Sequence, residues 1–121
     1  MSNQREWQEV YPLLARDLSS LPLLGVDCEW VTRANHVSPV SLLQLATVSG
    51  LCVLVRLCHM ETIPQSLRSL LASDDVYKLG VAICDDKQKL LQDYALDLNG
   101  CVDIRHLVVN HWQGEHQGHP N

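Results

Sequence analysis

Two β-rich runs, Val40 to Val48 and Leu51 to Leu57, are separated only by Ser49 and Gly50. A two-residue joint with glycine second is a tight-hairpin signature, so the runs are expected as adjacent antiparallel strands. Leu21 to Val31 reads as a strand ahead of them, with Pro22 near its start. Beyond Leu57 the period changes. Pro64 opens a short helix with Leu67, Leu70 and Leu71 on one side, and Tyr77 to Ile83 is a nearly unbroken apolar run, as in a strand covered on both faces. A further helix, begun at Asp85 or Asp86, carries Leu90, Leu91 and Tyr94; Cys101 to Ile104 is a short strand, and Ile104, Leu107, Val108 and His111 continue as a helix. Near the amino terminus Trp7, Val10, Tyr11, Leu14 and Leu18 have helical spacing, with Pro12 expected in the first turn of the regular helix. An antiparallel start followed by β-α-β crossovers specifies an α/β domain, a mixed sheet with flanking helices.

Length and balance narrow the class. With 121 residues, 46% of them hydrophobic, the chain fits one domain, expected over residues 1–112. Residues 113–121 lack apolar periodicity and are expected as a disordered tail. No apolar run reaches the roughly 18 residues of a spanning helix. Ser2-Asn3-Gln4-Arg5-Glu6 has no basic or apolar stretch of the kind a signal peptide begins with. The net charge of −5 argues against binding nucleic acid through bulk charge, so such a partner needs local basic residues or bound metal. Five widely spaced cysteines without C-x-x-C suggest neither a disulfide framework nor a zinc site and point to a reducing, intracellular compartment.

The chemistry-bearing segment is Leu24-Gly25-Val26-Asp27-Cys28-Glu29-Trp30-Val31. Strand alternation points Asp27 and Glu29 the same way, with backbone positions about 6.6 Å apart. Two carboxylates side by side in an apolar strand repel each other and suit a hard divalent ion such as Mg²⁺ or Mn²⁺; a solvent-facing edge with two ordinary acids is the plainer alternative. Gly25 beside them is expected to permit close backbone approach. A third acid lies at the strand-to-helix joint Cys84-Asp85-Asp86-Lys87, where α/β folds gather ligand sites. Asp85 and Gln88 have capping-box spacing, which leaves Asp86 for the site. Trp30 is expected in the core behind the acids, with base stacking the weaker option. Gln44 either faces the site or is a satisfied core amide, and Asp103 reads as a helix cap. The histidines at 106, 111, 116 and 119 lack regular ligand spacing.

The strand segment, Ser41-Leu42-Leu43-Gln44-Leu45-Ala46, Leu79-Gly80-Val81 and Asp86-Lys87-Gln88-Lys89-Leu90-Leu91 together resemble the DEDD 3′-5′ exonucleases, nearest the Werner-type branch, over residues 5–109. That resemblance implies an RNase H-like fold and two-metal hydrolysis, with Mg²⁺ or Mn²⁺, at the 3′ end of DNA or RNA. It places Asp27 and Glu29 at the ligand positions of the first motif and Asp86 at that of the second. It also implies a mitochondrial or nuclear location, and it gives Lys87 and Lys89, beside the site, weight as phosphate contacts. The family's third motif, Tyr or His followed four residues later by Asp, has no match after Asp86. The sequence therefore reads as a C-terminally truncated domain, and a catalytically inactive remnant that binds nucleic acid or protein is the competing expectation.

Overall fold

The computed structural model describes residues 1–106. Its elements run α1 (Gln4–Ser20), β1 (Leu23–Glu29), β2 (Thr32–Arg33), β3 (His36–Val37), β4 (Leu42–Thr47), β5 (Cys52–Val55), α2 (Gln65–Ala72), β6 (Tyr77–Gly80), α3 (Ile83–Tyr94) and β7 (Cys101–Asp103). Five strands form one sheet in the order β5-β4-β1-β6-β7. β1 pairs antiparallel with β4, and β4 with β5, whereas β1–β6 and β6–β7 are parallel. This is the mixed sheet expected from the hairpin and the two crossovers. Gly50, at φ 106°, makes the turn between β4 and β5 in a conformation that disfavours side chains.

Helix α1 begins earlier than the proline suggests. Asn3 caps it, its side chain accepting from the Glu6 N–H at 2.9 Å. Pro12 lies inside the helix at an exposed position, with Gln8, whose carbonyl loses its amide partner, also exposed. Trp7, Leu14 and Leu18 form the buried stripe, and Trp7 Nε1 donates to Ser66 Oγ of α2 at 2.7 Å. Helix α3 also starts early. It begins at Ile83, after Ala82 in a left-handed turn (φ 52°), so β6 ends at Gly80 and the capping box expected at Asp85 is not formed. The small hairpin β2–β3, with Ala34 at φ 51° in its turn, has no signal in the hydrophobic pattern because all four of its strand residues are exposed.

Burial alternates cleanly along the sheet. Leu24, Val26 and Cys28 of β1, Leu43 and Leu45 of β4, and Val53 and Val55 of β5 form one cluster with the inner residues of α1, α2 and α3. All three helices lie on that side. Asp27, Glu29, Ala46, Cys52, Leu54 and Tyr77 alternate to the other face and are exposed. One member of the inner face is charged: Lys78 of β6 is fully buried, its ammonium donating to the carbonyl of Ser73, the residue that closes α2. Burial pushes its pKa down, while Cys101 and Asp74 act against that shift. The expected helix through Leu107, Val108 and His111, the 113–121 tail and His116 and His119 lie outside the described residues. No described helix is long and apolar enough to cross a membrane.

Candidate active site

Parallel pairing of β1 with β6 sets the two carboxyl ends side by side, and α3 departs within three residues of β6. The close approach that makes this possible is at Gly80. A Cβ there would stand 2.7 Å from the Val26 carbonyl oxygen, whereas one at Gly25 would meet Ala46 at an ordinary 3.6 Å. The glycine of the first motif is thus not the tight one. Tight packing at Gly80 brings the first turn of α3 against the end of β1.

Asp86 lies in that first turn, on the buried stripe with Ile83 and Leu90. It is 5% exposed, and its Oδ2 has no hydrogen-bond partner among the described residues. Burial, then Asp27, then Asp85, push its pKa up to about 7. Burial, Asp86 and Asp27 also hold the Cys28 thiol well above its usual range, so Cys28 is an inert neutral neighbour. Asp27 and Asp86 are therefore close enough to repel one another. Glu29 stands two residues farther along the exposed row of β1. Among the described residues no group of three or more His, Cys, Asp or Glu side chains is drawn together tightly enough to hold a metal ion. What does fit a hard cation is the orphaned, buried Asp86 oxygen at the positive end of a helix, beside a second carboxylate.

The ammonium groups of the two lysines that follow Asp86 in sequence already have acceptors within the fold. Lys87 donates to the Leu98 carbonyl at 2.6 Å and to Asn99 Oδ1 at 3.3 Å. Lys89 donates to the Ser38 carbonyl at 2.7 Å, pairs with Asp93 at 2.9 Å and stands 5.6 Å from the centre of the Trp30 ring. Each would have to leave these partners to meet a phosphate. Trp30 is half-buried, packed against the core as expected, with Lys89 over its ring. Gln44 pairs directly with Asp27 across β1–β4 and is half-buried on the same face. Asp103 accepts from the Arg105 N–H at 3.0 Å, in keeping with the cap expected there, and the Arg105 guanidinium lowers its pKa to about 2.

No family model matches the chain. It is 47% identical over 113 residues to human "Exonuclease 3'-5' domain-containing protein 2", an alignment that takes in 90% of this chain and 18% of that protein. With the mouse "Bifunctional 3'-5' exonuclease/ATP-dependent helicase WRN" it shares 33% identity over 89 residues, 72% of this chain and 6% of that protein. The crystal structure of the EXD2 exonuclease domain soaked in Mn matches with a TM-score of 0.90 at 44% identity, covering 93% of this chain and 59% of that one. The chain thus spans less than a fifth of the human relative and under two thirds of the solved domain. By sequence and by fold together, it is a homologue of the 3′-5′ exonuclease domains of EXD2 and WRN.

Proposed function

We propose that Asp27, Glu29 and Asp86 hold divalent ions, Mg²⁺ or Mn²⁺, for hydrolysis of the terminal phosphodiester at the 3′ end of DNA or RNA. The observation that carries this reading is the unpartnered Oδ2 of buried Asp86 beside Asp27. A structural carboxylate so enclosed would have donors of its own. The relatives are named 3′-5′ exonucleases, and EXD2 exonuclease domains have been soaked in Mn, in Mg, and in Mg and GMP, a nucleoside monophosphate of the kind 3′ trimming releases. Bound ions would supply positive charge to the phosphate in the transition state and lower the pKa of the attacking water. The chain's own part is positioning. Asp27 is fixed by a central strand paired on both sides, and Asp86 by the packed first turn of α3. The open face carrying Asp27 and Glu29 gives a nucleic-acid end room to approach. Its carboxylates make bound metal necessary for a polyanionic substrate, in line with the −5 charge. Five unpaired cysteines support a reducing compartment; mitochondrion or nucleus follows from the exonuclease resemblance alone.

The test is calorimetric titration of the chain with Mn²⁺, followed by a 5′-labelled oligonucleotide assay. Asp27→Asn and Asp86→Asn should each weaken Mn²⁺ binding at least about tenfold, and trimming should proceed stepwise from the 3′ end. Undisturbed binding in both variants would sink the metal assignment. One observation favours a second reading: no three-ligand group is gathered among the described residues. If the domain binds nucleic-acid ends without cutting them, the oligonucleotide is retained and no product forms.

A further inference from the structure

We propose that Gln44 is a positioning residue for Asp27, an inference that rests on the metal-holding reading above. β4 presents Leu42, Gln44 and Ala46 on the face opposite the helices, and Gln44 is the polar member of that row. Its directly paired neighbours are Asp27 on β1 and Leu54 on β5. On the β1 side its diagonal neighbours are Gly25 and Glu29. Directly opposed residues of an antiparallel pair have Cβ atoms about 4.5–5.5 Å apart. The Gln44 amide, two atoms beyond its own Cβ, therefore reaches the Asp27 carboxylate without any movement of backbone. Among the described residues it makes no side-chain hydrogen bond, so both amide hydrogens are free to donate. Of the other neighbours Leu42, Ala46, Leu54 and Gly25 offer no side-chain acceptor, and Glu29, on the diagonal, is the more distant carboxylate.

The residue type suits the task. A lysine or arginine at this position would ion-pair with Asp27 and Glu29 and compete with a divalent cation for their oxygens. A carboxylate would add a third repelling charge. A neutral amide donates to one carboxylate oxygen, fixes the plane of the group, and leaves its charge and its other lone pairs to the ion. Carboxylates that bind metals are commonly oriented by such a partner, and its removal weakens affinity about 10–100-fold. Gln44 acts through Asp27 and touches neither ion nor substrate.

The experiment compares the full chain with Gln44→Met, which keeps length and shape but removes the donor, and with Asp27→Asn. Mn²⁺ affinity is read by calorimetry, and melting is read in EDTA. Support is a loss of Mn²⁺ affinity of about tenfold or more in Gln44→Met with melting in EDTA within a degree or two of the parent, together with a larger loss in Asp27→Asn. Unchanged Mn²⁺ affinity in Gln44→Met, with Asp27→Asn impaired, overturns the role of Gln44 and leaves the metal reading standing. Unchanged affinity in Asp27→Asn overturns both. A weaker-binding Gln44→Met that also melts many degrees lower in EDTA overturns the proposal in favour of a packing role.

Discussion

Helix α3 carries a covered aspartate at each end, and the fold treats them in opposite ways. Asp93, with its side chain 12% exposed, accepts from Lys89 Nζ at 2.9 Å and from the Val40 N–H at 2.9 Å, while Tyr94 next to it donates to the Val40 carbonyl. Asp86, seven residues earlier on the same helix, is 5% exposed and has an oxygen with no partner among the described residues. Both stand where an unpaired charge is expensive. The first is matched by a cation and an amide and ties α3 to the segment that leads into β4. The second is flanked by other acids, and burial raises its pKa. One helix thus holds a structural carboxylate and a carboxylate that the proposed function assigns to a cation, and satisfaction of the oxygens tells them apart.

The largest effect should come from breaking the satisfied end. Asp93→Ala removes the counter-charge of the Lys89 ammonium, which keeps only the Ser38 carbonyl, and leaves the Val40 N–H without its acceptor, and should destabilise the fold by about 3 kcal/mol in urea denaturation. A loss below about 1 kcal/mol would mean that the network contributes little and that the contrast is overstated. Gly80→Ala disturbs the other end without touching either aspartate. A methyl 2.7 Å from the Val26 carbonyl must push β6 from β1, for an expected loss of about 2–3 kcal/mol and weakened Mn²⁺ binding. Ordinary stability in that variant would place the close approach elsewhere.

Asp86→Asn should have the opposite sign to Asp93→Ala. In EDTA at pH 8 it should stabilise the protein by about 1–2 kcal/mol, because a buried, unpaired charge is removed. The pH dependence comes from the raised pKa. The folded chain holds the Asp86 proton up to about pH 7, whereas an unfolded carboxyl releases it near 3.8. The stability contributed by that proton is complete below pH 3.8 and is lost as pH rises through 7. The gap between Asp86→Asn and the parent should therefore open across this window and close at its acid end, as read by melting at a series of pH values. A gap independent of pH would assign the gain to packing. The smallest effect belongs at the Asp93 end, where Ala95 closes α3 in a left-handed turn at φ 54°. Ala95→Gly relieves the side-chain clash of that conformation and should raise stability by about 0.5 kcal/mol, with Mn²⁺ affinity unchanged.

The parts of this arrangement written in the sequence are those set by local periodicity. The β4–β5 hairpin, the alternation of Asp27 and Glu29 against Val26 and Cys28, and the helix after Pro64 all come from side-chain period and turn chemistry. Where neighbours in space decide, the pattern misleads. Pro12 reads as a helix start, but Asn3 supplies the cap and an exposed proline is tolerated on the solvent side of α1. Asp85 reads as a cap, yet the left-handed turn at Ala82 moves the start of α3 forward and leaves Asp85 exposed. Gly25 and Gly80 are indistinguishable as letters, and the tight one is identified by the carbonyl of another strand. Lys87 and Lys89 sit beside the site in sequence, while the acceptors that claim their ammonium groups come from segments far along the chain. That Asp86 Oδ2 finds no donor among the described residues is visible only in three dimensions.

Of the chain's three lysines, Lys87 is exposed and Lys89 is half-buried, but Lys78 is sealed within β6 between two parallel neighbours. Acylating reagents and trypsin both need a lysine side chain they can reach. Native molecules should therefore react at Lys87 and remain blank at Lys78, and a label at Lys78 records an excursion in which the middle of the sheet has come apart. Because β6 runs directly into the turn that sets Asp86, the acylation rate at this lysine, followed by mass spectrometry, is a chemical clock for opening of the region that carries the candidate site.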